Sequence, residues 1–306
     1  MAPLVPLDSN SRMQLSPYPD NTEWTLSLVF DRAVTAALSS SMAQIRVGIG
    51  GWVFAPWRGT FYPDGLAQAR ELSFASRHVS AIEINGTFYG SQKPTSFRRW
   101  HADTPDDFIF SVKGPRYATH RRALGEAGPS IERFFNSGVL ELRDKLGPVL
   151  WQFAPTTKFD EGAFEAFLAL LPRALENRAI RHVVEVRHKS FATPAFIALL
   201  RRHGVAAALL DTEGHVPLAD VTADFVYARL RRAQAHEREG YSARALDQWA
   251  ARFRAWAAGD VPAEPGPIDP ATAAPNEPRD CFVYFINGAK VRAPAAAIAL
   301  LQRLKT

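Results

Sequence analysis

Short apolar runs alternate with helical periods eight times between Gln44 and Leu304, and this alternation leaves the chain very few folds to adopt. The runs are Ile45–Trp52, Ala81–Asn85, Phe108–Lys113, Pro148–Phe153, His182–Arg187, Val205–Asp211, Phe225–Arg231 and Cys281–Asn287. The amphipathic stretches between and after them are Leu66–Arg77, Thr95–Ala102 behind Pro94, Ser130–Leu146, Glu161–Leu171, Phe191–His203, Ser242–Ala257 and Pro294–Leu304. After the sixth run, Glu213–Val221 has room for at most a turn of helix. Strict alternation calls for parallel strands joined by crossover helices. Eight such units fit an α/β fold of one closed (β/α)8 barrel better than an open sheet. Gly259–Asp280, rich in Pro, Ala and Glu, reads as a long surface loop before the last strand and not as a domain boundary.

Residues 1–43 lie outside this pattern and are rich in Pro, Ser and Asn; we expect a disordered or loosely attached extension, with the barrel domain spanning 44–306. Trp24–Leu38 is partly apolar, but Asp31 and Arg32 fall inside it and no basic region precedes it, which argues against a signal peptide. Met42, just ahead of the first strand, is an alternative start. No apolar run reaches the ~18 residues of a membrane span. The single cysteine, Cys281, excludes an internal disulfide and a cysteine-based metal site, so a cytoplasmic location is expected. The formal charge of +5 is spread along the chain; it favours anionic partners in general without arguing for nucleic acid.

Function is sought where such barrels keep it, at the carboxyl ends of the strands. In AIEINGTFY, residues 81–89, Glu83 and Asn85 share one face while Ile82 and Ile84 share the other, so the polar pair is expected to point into the barrel. The same parity aligns Ser111 with Lys113, Leu150 with Gln152, and Val183 with Glu185 and Arg187. It aligns Ala207 and Leu209 with Asp211, Tyr227 with Arg229 and Arg231, and Val283 and Phe285 with Asn287. The first strand ends instead in Gly50, Gly51 and Trp52, leaving space and an aromatic wall. A strand end is often polar because it meets solvent, which is the plain reading of Asn287 or Asp211 taken alone. Glu83 with Glu185, and Lys113 with Arg187 and Arg229, are different: buried charges must be paired or shift their pKa values.

The expected catalytic residues are therefore Glu83, Lys113, Glu185 and Asp211, with a carboxylate as general base and Lys113 as acid or electrostatic stabiliser. The expected substrate-binding residues are Trp52, Asn85, Tyr89, His120, Gln152, Arg187, His188, Arg229 and Asn287. Basic loops at Lys113–Arg122 and Arg229–Arg238 flank the site and suit a phosphate or carboxylate. The leading reading is a metal-independent hydrolase or isomerase acting on a small anion such as a sugar phosphate or nucleotide. One alternative is a divalent-metal-dependent nuclease or isomerase using Glu83, Glu185, Asp211, His120 and His188, although paired His spacing is missing and cations stand beside each carboxylate. Another is a non-catalytic protein that binds RNA or an anionic metabolite. No cofactor is called for. Trp57, Phe61 and Tyr62 follow Trp52 as either a packed loop or a stacking wall. Gly48-Ile49-Gly50-Gly51 lacks both nucleotide fingerprints, and Cys281 begins its strand at the wrong end for catalysis.

Several stretches together resemble the YecE-like family, also called domain of unknown function 72. They are GIGGW at 48–52, FYPDG at 61–65, EINGTFYG at 83–90, TPDDFIFSVK at 104–113 and THRRAL at 119–124. KLGPVLWQFAP at 145–155, EVRHKSF at 185–191, YARL at 227–230 and GYS at 240–242 complete the set. The resemblance covers about residues 45–290 and implies a TIM-type barrel with no established activity. The chain departs from the family pattern in two places. Arg231 and Arg232 stand where a His-Gly pair is usual, and Ile286 and Asn287 stand where two asparagines are frequent, which implies a more basic site than its relatives have.

Overall fold

The computed structural model describes residues 43–272 and 274–305, so the expected N-terminal extension and the Met42 start lie outside the described residues. Eight strands form a closed, wholly parallel barrel: β1 (Ile45–Gly50), β2 (Ala81–Ile84), β3 (Ile109–Lys113), β4 (Leu146–Gln152), β5 (His182–Glu185), β6 (Ala206–Asp211), β7 (Phe225–Leu230) and β8 (Asp280–Phe285). They follow one another around the ring in chain order, and β8 closes it by pairing Cys281 with Ile45 of β1. All eight expected strands form, each within a residue or two of its expected bounds. A short antiparallel hairpin, Ala174–Leu175 with Arg178–Ala179, precedes β5.

The outer helices are α1 (Glu71–Ala75), α2 (Pro94–Asp103), α3 (Gly128–Asn136), α4 (Glu161–Leu168), α5 (Pro194–His203), α6 (Ala243–Ala258) and α7 (Ala293–Lys305). Local chemistry sets several of their starts. Asp160, Thr193 and Ser242 each accept a hydrogen bond from a first-turn amide, at Ala163 (2.8 Å), Phe196 (3.3 Å) and Ala245 (3.3 Å). The expected helix 130–146 is split instead: α3 ends at Asn136 and a 3-10 segment, Val139–Lys145, follows. Between them Gly138 turns at φ +100°, and a Cβ there would fall 2.7 Å from the Pro94 Cα of α2, so only glycine lets the two elements approach. Between β6 and β7 no helix forms among the described residues. The loop before β8 has no regular element among its described residues, but Asp220 holds it by accepting from the Ile268 and Asp269 amides at 2.8 and 2.9 Å.

Two apolar layers result. Between strands and helices pack Val47, Ile82, Val112, Trp151, Val184 and Phe285 against Phe97, Phe164, Phe196, Phe253 and Leu300. Inside the ring lie Leu150, Val183, Ala208, Leu210, Tyr227 and Tyr284. The inward sets on β2, β3, β4, β5 and β7 are those the alternation predicts. Those on β6 and β8 are the opposite ones: Leu210 and Tyr284 point inward, while Leu209 and Phe285 join the outer layer. Register explains the reversal. Residues paired across parallel strands share a face, and Arg229 pairs with Leu210 on one side and Tyr284 on the other. Once Arg229 points inward, so do both neighbours. No helix of the described residues is long and apolar enough to cross a membrane.

Candidate functional site

The carboxyl ends of β2, β3, β4, β5 and β7 deliver their polar residues to one mouth. At its floor the Arg229 guanidinium forks onto Glu83, with Nε to Oε2 and Nη2 to Oε1 both at 3.0 Å. Its remaining Nη1 donates to Glu185 Oε2. The Tyr227 hydroxyl donates to Glu83 Oε2 at 2.7 Å. Glu83 and Glu185 are fully buried and Arg229 is 3% exposed, so the floor is a dry ion triad that satisfies its own charges. Gly50 lets Asn85 and Ile286 close in beside it: a Cβ there would press the Asn85 amide at 3.2 Å and Ile286 at 3.4 Å.

Above the floor the network opens toward solvent. Glu185 Oε1 also accepts from Arg187 Nη2 (2.7 Å) and from Gln152 Nε2 (2.7 Å). Gln152 turns its Oε1 to the Lys113 amine at 3.0 Å, which also sits 3.9 Å above the Phe88 ring. Burial by itself would raise the Glu185 carboxyl, but Arg229, Arg187 and Gln152 outweigh it and hold it at about 2. Burial draws the Lys113 amine down to about 8; Glu83 and Glu185 pull the other way, and Arg229 and Arg187 add to the fall. Arg231, two residues beyond the inward-facing Arg229, extends the same face toward the mouth; burial lowers its pKa first, and the neighbouring Arg187 adds to the fall. Its buried Nε has no hydrogen-bond partner among the described residues. Four cations thus face two carboxylates, and the surplus lies on the outer side.

Among the expected site residues, Glu83, Lys113, Gln152, Glu185, Arg187 and Arg229 form this one chain. Asn85 lies beside it and donates to the Glu83 carbonyl at 3.2 Å. Tyr89 and His120 stand on the rim with their rings edge-on to Phe88, at 5.2 and 5.4 Å. His188 is turned to its own backbone, where Nδ1 accepts from the Ser190 amide at 3.2 Å and caps a 3-10 turn.

Three expected positions lie elsewhere. Asp211 is on the outer face of β6, where it accepts from the Tyr241 hydroxyl at 3.0 Å, because Leu210 takes the inward place. Trp52 packs edge-on against Trp100 of α2 (5.1 Å) and Phe110 (6.4 Å), so it belongs to the outer layer and not to a wall of the mouth. Trp57 and Tyr62 are buried with it as a packed loop. Asn287 is exposed at φ +62° in the turn that leaves β8, and Ile286 occupies the inward position. Sequence reasoning gives no role to Phe88. Parity sets Tyr227 and Arg231 on the inward face with Arg229, but neither is among the expected site residues. Phe88 carries no such signal, because it sits in a single helical turn, Gly86–Tyr89, after β2.

A divalent metal fits these donors poorly. The oxygens of Glu83 and Glu185 are occupied by guanidinium, tyrosine and amide donors, and Asp211 is on the other side of the sheet. Among the described residues no three His, Cys, Asp or Glu side chains converge. Cys281 is buried at the start of β8 with its thiol pushed up to about 12 by burial, the condition of an inert core cysteine.

Comparison with known proteins gives consistent results. A curated relative, UPF0759 protein YunF of Bacillus subtilis (strain 168), is 28% identical over 188 residues; the match spans 57% of this chain and 64% of YunF. Two solved structures share the fold. One is a DUF72 family protein (TM1631) from Thermotoga maritima MSB8, with TM-score 0.65 and 22% identity over 86% of this chain and 100% of that one. The other is a DUF72 family protein (EF0366) from Enterococcus faecalis V583, with TM-score 0.62 and 14% identity over 86% and 98%. The family model described as "Protein of unknown function DUF72" matches residues 46–306, nearly the whole described barrel, and the chain belongs to that family.

Proposed function

We propose that the mouth is an active site for a small anionic substrate bearing a phosphate or carboxylate, with Lys113 as the group that moves a proton and Arg187 and Arg231 as the anion holders. The observation that carries this reading is Lys113. The residue is 4% exposed, and its amine is held between a glutamine oxygen and an aromatic face, with its pKa lowered to about 8 by burial. An amine poised near neutrality can both give and accept a proton, which an ordinary lysine cannot do efficiently. The glutamates suit the base role less well. Glu185 is held at about 2, and both Glu83 oxygens accept hydrogen bonds from buried donors. Their task in this reading is to fix Arg229 and Arg187 and to tune Lys113. Hydrolysis and isomerisation of sugar phosphates or nucleotides both need an anion clamp beside one proton-transfer group.

A panel of sugar phosphates, nucleotides and small carboxylates tests the proposal by turnover and by thermal shift. A true substrate should lose turnover by about 100-fold or more in Lys113→Met, the usual contribution of one positioned acid or base. Its KM should rise in Arg231→Gln. Turnover that survives Lys113→Met unchanged would sink the assignment.

A second reading is supported by the rim. Tyr89 and Tyr117 are 65% and 62% exposed, on the loops after β2 and β3, and Arg116 and His120 stand near them. Exposed rings among cations suit unpaired bases, so a non-catalytic RNA-binding role follows if single-stranded RNA binds with a steep salt dependence and nothing is turned over.

A further inference from the structure

The opposite end of the barrel holds a second concentration of arginine. A cavity of about 420 Å³ opens at the amino ends of the strands, and Arg46, Arg143, Arg178 and Arg181 line it together with Asp144 and Asp280. Two of these arginines are committed to neighbours. Arg181 donates to Asp280 Oδ2 at 2.7 Å, and Arg46 donates to the Asp107 carbonyl at 2.7 Å. The guanidinium groups of Arg143 and Arg178 have no hydrogen-bond partner among the described residues. The Arg178 Nη1 is moreover buried from solvent, a state that a charged donor ordinarily avoids. Of the acids, Asp144 bonds His101 at 2.9 Å and Asp280 bonds Arg181 at 2.7 Å, and among the described residues neither forms an ion pair with Arg143 or Arg178.

The backbone adds an independent observation. Arg143 sits at φ +51°, ψ −125°, inside the 3-10 segment between α3 and β4. That region is closed to side chains with a Cβ unless the surroundings enforce it. Glycine would relieve the strain, yet the position carries an arginine facing a cavity whose other free donor is also an arginine. Strain of this kind collects at ligand-binding positions.

We infer that this cavity is a binding site for a phosphoryl group, held between the Arg143 and Arg178 guanidinium forks, with Arg46 and Arg181 kept in the wall by their pairs with Asp107 and Asp280. Planar forks match the oxygens of a phosphoryl group in pairs, and two unpaired forks match a group with at least two charges. The site lies at the amino face, away from the end where barrels of this kind carry out chemistry, so its occupant stabilises or regulates the barrel and is not turned over. It is separate from the mouth described above and does not depend on that reading.

Inorganic pyrophosphate, titrated calorimetrically into the full chain at physiological salt, is the probe. The expected result is saturable binding with a component that Arg178→Ala abolishes and Arg143→Gly weakens by about tenfold or more, the share of a lost charge-assisted hydrogen bond, whatever the mouth binds in addition. Arg231→Gln at the other end should leave this binding in place. Arg143→Gly should also melt no lower than the unmodified chain, because it removes the strained Cβ. ADP run beside pyrophosphate separates a free polyphosphate from an esterified one by which binds tighter. Absence of saturable binding by either probe, or equal binding by the chain and the Arg143→Gly/Arg178→Ala double variant, overturns the inference.

Discussion

The floor and the rim of the carboxyl mouth use the same residue types to opposite ends. On the floor, Arg229 donates to Glu83 and Glu185, and Tyr227 completes the set in a space closed to water. On the rim, Lys113 and Arg231 share two carboxylates that are already bonded to others, and Arg231 keeps a buried donor unpaired. A satisfied buried triad has nothing left for a ligand and serves to hold three strands in place. An under-satisfied set of cations has donors to spare. The contrast teaches that the charged residues of one mouth divide into an anchor and a working surface, and that partner count, not residue type or burial, draws the line: Lys113 and Arg229 are almost equally buried, but Lys113 donates to one oxygen and Arg229 to three.

The sharpest way to break this contrast is to remove the anchor. Arg229→Met leaves two buried carboxylates without their common partner, and breaking such a set from one side costs about 3–5 kcal/mol. Denaturant unfolding should show that loss, or the variant should fail to accumulate. A loss below 1 kcal/mol would mean that the floor is not the anchor described. Lys113 should behave in the opposite way. Its folded amine binds a proton more weakly than an ordinary lysine, about 8 against 10.5, so the unfolded chain takes up more protons between those values. Lys113 therefore costs stability below pH 8, and that cost is relieved as pH rises from about 8 to 10.5. In Lys113→Met this rise, worth roughly 1–3 kcal/mol, should vanish, and the Tm at pH 7 should not fall. Parallel Tm curves for the two proteins over that range would show that the amine is not held down.

How far the sequence reveals this arrangement depends on the strand. On β2, charged and apolar residues alternate, so Glu83 can face only one way, and the same holds for β5 with Val184 opposite Glu185. Burial of isoleucine and valine sets the phase, and the polar residues follow. On β6, Ala206 to Leu210 are apolar on both faces, and on β8 Cys281 to Phe285 are as well. Such strands carry no phase of their own, because both faces are buried in a parallel barrel. Asp211 and Asn287 then set the phase by default, and they set it wrongly. What fixes it is the pairing of Leu210 and Tyr284 with Arg229, a long-range fact. Trp52 is misjudged for a related reason: position after a glycine-rich strand end says nothing about which layer a ring joins, and Trp100 draws it outward. The Lys113–Phe88 contact joins a strand to a helical turn that no periodicity predicts.

Asp211 offers the smallest effect and the cleanest control on the whole comparison. It is a carboxylate at a strand's carboxyl end, just as Glu83 and Glu185 are near theirs, but on the outer face. Its partners there are the Tyr241 hydroxyl at 3.0 Å and the Arg232 guanidinium at 3.9 Å. Burial pushes its carboxyl above the usual range, with Tyr241 and Arg232 only partly opposing, so the neutral form is the easier one to hold. Asn supplies that neutral form with the same shape and an oxygen for Tyr241. Asp211→Asn should therefore shift stability by no more than about 1 kcal/mol. It should also leave the affinity of any mouth-bound anion unchanged where Arg231→Gln lowers it. If Asp211→Asn instead alters anion binding as strongly as Arg231→Gln does, the carboxylate faces the mouth, and the face assigned to β6 through the Leu210–Arg229 pairing has to be reversed.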